Sequence, residues 1–205
     1  MQTSGVFKRL AGAATLAVLL YTTAVRADPI PLEGTWVVDP AHTSINFSVQ
    51  HMVISRVHGH FNDFAGTIVA ARDITKSSVE FTIQVASIDT GVAARDNHLR
   101  SAAFFDAATY PQITFKSMSI KRKGGNNYSA HGMFTMHGVS KVIELPFQLN
   151  GPINVKGYRI GVTSKLTINR QEWGLTYNQA LETGGLAVGN DIDIDISLEA
   201  VPPKA

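Results

Sequence analysis

Apolar and polar residues alternate along most of the chain with a period of two, the mark of strands with one buried face. In "TSINFSVQH" Ile45, Phe47 and Val49 fall on one side, and Ser44, Asn46, Ser48 and Gln50 on the other. "GTWVVD" precedes it. "RVHGHFNDFAGTIVA" then sets Val57, Gly59 and Phe61 against His58, His60 and Asn62. "SSVEFTIQVASI" places Val79, Phe81, Ile83 and Val85 on one face. "QITFKSMSI" runs on to Gly124-Gly125-Asn126-Asn127, a strong hairpin signal, and "YSAHGMFTMHG" returns from it. "KVIELPFQLNG" and "YRIGVTSKLTI" follow. The cleanest alternation is the last, "NDIDIDISLEA", with Ile192, Ile194, Ile196 and Leu198 inward and Asp191, Asp193 and Asp195 outward.

Two segments leave the pattern. "VAARDNHLRSAAFF" holds good helix formers and predicts a helix from Ala93 to Ser101, with Asp89-Thr90 as its cap. "QHMVISRV" predicts a short helical turn between strands. Eight or nine strands with one inserted helix predict an all-β domain, a single antiparallel barrel or sandwich; the even spacing and the inserted helix favour an eight-stranded antiparallel β-barrel, whose closure also removes exposed strand edges. A barrel of that size either fills with its own side chains or holds one small ligand. The inward positions mix bulky residues with Gly59, Ala130, Gly132 and Ser164, which leaves both readings open.

Residues 1–27 stand apart. Lys8 and Arg9 precede an apolar run from Leu10 to about Leu20, and Val25 and Ala27 sit at −3 and −1 of a cut before Asp28. This is the pattern of a secretory signal peptide, leaving 28–205 as the folded domain. The leader also changes the charge. The whole chain has 18 basic and 16 acidic residues. Without Lys8, Arg9 and Arg26 the balance is 15 to 16, so the case for a nucleic-acid partner disappears. The chain has no cysteine, hence no disulfide, thiol nucleophile or thiolate metal ligand. Export without disulfides fits a periplasmic or secreted protein.

Candidate chemistry is sparse. His58 and His60 share a strand face and suit a metal, but two imidazoles do not complete a zinc set. Asp96 and His98 stand close in sequence to Arg95 and Arg100, yet residues two apart on a helix do not face each other. The chain shows no nucleophile elbow, phosphate loop or His-Glu-x-x-His. What remains is a broad aromatic set that the pattern alone reads first as core, with the wall of a cavity as the alternative.

Five blocks in order resemble the YceI-like polyisoprenoid-binding family. They are "DPAHTSINFSVQHMVISRVHGHFNDFAGTI", "SIDTGVAARDNHLRSAAFFDAATYPQITF", "MHGVSKVIELP", "INRQEWGL" and "GNDIDIDISLEA". The resemblance implies a lipocalin-like barrel that binds or carries a long amphiphilic lipid: a polyprenyl chain, an isoprenoid quinone or a fatty-acid-like molecule. It implies no enzyme activity and no cofactor besides that lipid. His58, His60, Trp173 and Ala103 depart from the family's usual residues. On this reading the tunnel wall comprises Ile45, Phe47, Val49, Phe61, Phe64, Phe81, Ile83, Phe104, Phe105, Phe115, Phe134 and Trp173. His42, His51, Arg95, Asp96, His98 and Arg100 are candidates for the mouth and head group. The helix with Phe104 and Phe105 is either a lid or a fixed plug. Transient membrane contact and a homodimer are compatible with a long tail. The rival readings are a histidine-dependent metal-binding stress protein using His51, His58 and His60, and a lipid-modifying enzyme.

Overall fold

In the computed structural model, residues 32–182 and 184–203 are described; the predicted leader lies outside them. Eleven strands form one antiparallel sheet: β1 (Gly34–Val38), β2 (Ser44–His51), β3 (Ser55–Phe61), β4 (Phe64–Ala70), β5 (Ser78–Gln84), β6 (Ile88–Asp89), β7 (Gln112–Gly124), β8 (Asn127–Met136), β9 (Val139–Asn154), β10 (Tyr158–Asn169) and β11 (Val188–Val201). One helix, α1 (Ala93–Arg100), lies between β6 and β7.

The pairing reduces eleven strands to eight staves. β1 and β2 both pair with β11, through Val38↔Ala200 and Ser44↔Ser197, so they are one stave with Asp39–Thr43 bent out between them. Their partners β3 and β4 form the second stave, interrupted at Asn62-Asp63. β5 and β6 form the third, interrupted by a 3-10 turn at Val85–Ser87. The other five are continuous, and the β1–β11 pairing closes an eight-stranded barrel.

The alternation expected of β10 and β11 is realised in register, with Leu166 opposite Ile194 and Ile168 opposite Ile192. Gly59 does specific work in β3. A Cβ there would stand 2.4 Å from the Phe47 ring, so only glycine lets that ring lie across the neighbouring strand. Two local expectations fail. The 52–54 segment is a reverse turn, not a helical one: Met52 and Val53 have φ of +49° and +64°. The cap of α1 is also different. Val92 holds the N-cap position without a side-chain bond, and Asp96 reaches back from inside the helix to the Thr90 N–H (2.9 Å) and hydroxyl (2.5 Å).

The upper end of the barrel carries the 52–54 turn, α1 and a 3-10 turn at Arg170–Trp173. The lower end carries the Gly125-Asn126 turn and the 155–157 turn.

Candidate functional site

The inward faces enclose a cavity of about 340 Å³ whose wall is almost wholly apolar. It reaches from Leu32, Ile74, Phe147 and Leu149 below to His51, His98, Tyr177 and Val188 above. Along β11 the lining runs from Val188 to Leu198. At about 3.3 Å per residue and a strand tilt near 40°, that is roughly 25 Å of barrel axis. The void is therefore long and narrow.

Ile45, Phe47, Val49, Phe61, Phe81, Ile83, Phe104, Phe105, Phe115 and Phe134 all line it. Phe64 and Trp173 do not. Phe64 stacks on Phe81 with ring centroids 5.9 Å apart, and Phe81 takes the place at the wall. Trp173 ends the Arg170–Trp173 turn and sets its edge against Phe134 at 5.4 Å, with the Lys141 ammonium over its ring. Both are core residues one layer out.

The mouth candidates separate similarly. His51, Arg95 and His98 reach the wall. The His98 ring meets Tyr177 at 4.8 Å and Phe104 at 6.2 Å. Arg95 donates from Nε to the Thr90 hydroxyl (2.7 Å) and from Nη2 to the Thr90 carbonyl (2.9 Å). Asp96 and Arg100 are not on the wall. Asp96 is committed to Thr90, and Arg100 ties α1 to the Ala86 and Ile88 carbonyls (2.8 and 2.9 Å). His42 is further away, in the bend between β1 and β2. Its Nδ1 bonds Asp39 at 2.8 Å, beside Glu199 and the Arg159 guanidinium. The hydrogen bond from His42, then that from the Ala41 N–H, hold the Asp39 carboxyl below its usual range.

Asp39, His42 and Glu199 bring ligand atoms within 4.8 Å of one another. Arg159 already answers those carboxylates, which makes the group a charge network closing the bend. His51 faces the cavity while His58 and His60 border the outer surface of β3, so these three do not converge.

Many wall residues lay outside the expected set, most of them apolar strand residues; Arg170 is the charged one among them. Arg170 lines the cavity and is fully buried. Its position carried a signal: it continues the inward series Ile160, Val162, Ser164, Leu166, Ile168 by two more residues.

A closed antiparallel barrel of eight staves around a narrow apolar cavity defines a lipocalin-like barrel of the kind that holds one small ligand. The chain belongs to the YceI-like family: the YceI-like domain model matches residues 36–200. A UPF0312 protein of Staphylococcus aureus is 33% identical over 165 residues, covering 78% of this chain and 94% of its own. Among solved structures, BcnA of Burkholderia cenocepacia superposes with a TM-score of 0.70 at 26% identity, over 80% of this chain and 99% of its own. The YCEI protein of Campylobacter jejuni superposes at 0.65 and 28%, over 76% and 90%. A polyisoprenoid binding domain from Saccharophagus degradans, implicated in plant cell wall breakdown, shares the fold at 0.62 and 18% identity, over 82% and 98%.

Proposed function

We propose that this protein binds and carries a long amphiphilic lipid, its tail threaded through the barrel. The continuous apolar cavity carries the reading. Its length and narrowness fit one extended chain, and the related fold of a domain described as polyisoprenoid binding supports an isoprenoid or quinone tail. Each buried methylene contributes about 0.8 kcal/mol, so ten give roughly 8 kcal/mol gross, near micromolar affinity before the cost of ordering the chain. The titratable side chains on the wall are His51, Arg95, His98, Arg170 and Tyr177, a set suited to holding a head group. Binding is accordingly the activity proposed, and turnover is not part of it. The leader pattern and the lack of cysteine support a periplasmic or secreted site of action.

Membrane contact is part of this proposal. Met52, Val53 and Ile54 form an exposed apolar turn at the upper end, next to His51 on the cavity wall. Val53 packs beside Gly185, and Leu186 is also exposed there. An apolar collar at the mouth supports loading from a bilayer surface.

The test is native mass spectrometry, with lipid extraction, of protein purified from its own host. Wild type should carry a prenyl or acyl lipid. Phe47→Asp puts a carboxylate into the wall and should abolish retention in a protein that keeps its β-sheet circular dichroism. A folded Phe47→Asp protein with the same lipid content as wild type would refute the reading.

A further inference from the structure

Arg170 is 1% exposed, and its guanidinium meets only neutral acceptors. Nε donates to the Gly189 carbonyl at 2.9 Å, Nη1 to the Leu175 carbonyl, and Nη2 to the Val188 carbonyl and Asn190 Oδ1, both at 3.4 Å. Its Cζ stands 5.7 Å from the centre of the Phe104 ring. The arginine ion pairs among the described residues belong to Arg56, Arg72 and Arg159. Arg170 is therefore a buried cation without a counter-charge, and it borders an apolar cavity.

Arg95 reaches the same end of that cavity. Its Nε and Nη2 are held by Thr90, and its Nη1 has no protein partner among the described residues. His98, one helical turn further on, abuts Phe104, the ring beneath Arg170. The nearest acid in sequence, Asp96, is buried and bonded to Thr90, and is not on the wall. Among the described residues no aspartate or glutamate lines the cavity, so its fixed charges are two guanidiniums, both at the upper end. A charge is screened weakly beside an apolar void, and guanidinium matches carboxylate and phosphate oxygens in geometry as well as sign.

We propose that the cavity selects an amphiphile with an anionic head group, a carboxylate or a phosphate, seated at the upper end between Arg95 and Arg170. The inference rests on the lipid-carrier reading and adds to it the class of head group. The Arg170 network fixes the cation in place before the ligand arrives, so binding need not order a flexible side chain. A cationic head would face two like charges and no partner.

The experiment compares four ligands with one tail on delipidated full-length protein at low salt: dodecanoate, dodecyl phosphate, dodecanol and dodecylamine, read by displacement of an environment-sensitive fluorophore. Dodecanol reports tail burial alone. The better anion should bind more than about tenfold tighter than the amine, equivalent to at least about 1.4 kcal/mol, with the alcohol between them. Which anion leads identifies the head as an acyl carboxylate or a lipid phosphate. Arg95→Gln, at a half-buried site, should weaken both anions several-fold more than it weakens dodecanol. Arg170→Gln should do the same more strongly; if it does not fold, the wild-type series and Arg95→Gln decide. An anion-to-amine ratio of about tenfold or less overturns the head-group inference while leaving the carrier reading intact. Failure of all four ligands, dodecanol included, overturns both.

Discussion

At the lower end of the barrel Trp36, Ile68, Ala70, Ile160 and Ala200 interlock, and the Trp36 indole N–H donates to the Leu32 carbonyl at 2.8 Å. At the upper end the chain leaves the sheet four times, in the 52–54 turn, in the α1 region, in the 137–138 turn and between β10 and β11. There polar links, Asp96 and Arg95 to Thr90, Arg100 to Ala86 and Ile88, and Arg170 to the Val188 and Gly189 carbonyls, accompany the buried Phe104, Phe105, Trp173 and Leu175. One end is closed by strand side chains held in register. The other is closed by connecting segments held by hydrogen bonds and by the apolar side chains they insert. Opening the lower end requires breaking the ladder and the core. Opening the upper end leaves the ladder intact; it exchanges those polar links for water and exposes Phe104, Phe105 and Leu175 of the connecting segments. That asymmetry suits a carrier loaded from one side.

Trp36→Ala is the most damaging way to test this contrast. Trp36 is 3% exposed among strand residues that have no freedom to collapse around a void. The expected loss is about 3–5 kcal/mol in chemical denaturation. The relative affinities for the four head groups should not change, because the lesion lies at the far end from Arg95 and Arg170. A changed head-group ranking would mean that the two ends are not independent.

Asp96→Ala tests the upper closure. It strips the acceptor from the Thr90 N–H and hydroxyl, at a site where Asp96 itself is 6% exposed. Leaving those donors without a partner should cost about 1–3 kcal/mol. The informative readout is hydrogen exchange. Amides of α1 and the 101–107 segment should exchange faster, while those of β7 to β10 hold their wild-type protection. Uniform acceleration through the barrel would show that α1 is part of the global core and not a separately opening closure.

The same asymmetry governs what could be read in the sequence. The staves were legible because alternation is a local signal and one face is buried nearly everywhere. Their interruptions were less so. Phe61 and Phe64 are both buried, but three residues apart, so the break at Asn62-Asp63 shifts the inward phase in a run that looks continuous. Val85 keeps the inward phase of β5 yet sits in a 3-10 turn. At the upper end the partners are remote. Arg170 is buried because carbonyls some 18–20 residues later fold over it, and Asp96 is buried because Thr90 turns back towards it. His42 shows the opposite case. Its place before an inward-facing strand suggested the mouth, but Arg159 and Glu199, distant in sequence, fix it in an outer charge network. Alternation identifies which face is inward. It does not identify which end of the barrel a polar residue will occupy.

The smallest stability effect belongs to the collar. Ile54 is 86% exposed, so Ile54→Ser should alter folding stability by no more than about 0.5 kcal/mol. The turn is nevertheless an odd one. A β-branched residue at φ of +64° is an outlier for which glycine or asparagine would be ordinary, and three successive apolar side chains at this hairpin tip stay 45%, 55% and 86% exposed. Folding gives little reason for an apolar Ile54 at this tip. The proposed membrane contact would give one, since transfer into a bilayer interface would bury the apolar area that the turn leaves exposed. Ile54→Ser should therefore leave the melting curve and the affinity for soluble dodecanoate unchanged. It should slow lipid uptake from vesicles and reduce co-sedimentation with them several-fold. Equal vesicle uptake by Ile54→Ser and wild type would remove the collar from the loading step and leave the polar closure around α1 as the distinguishing feature of that end.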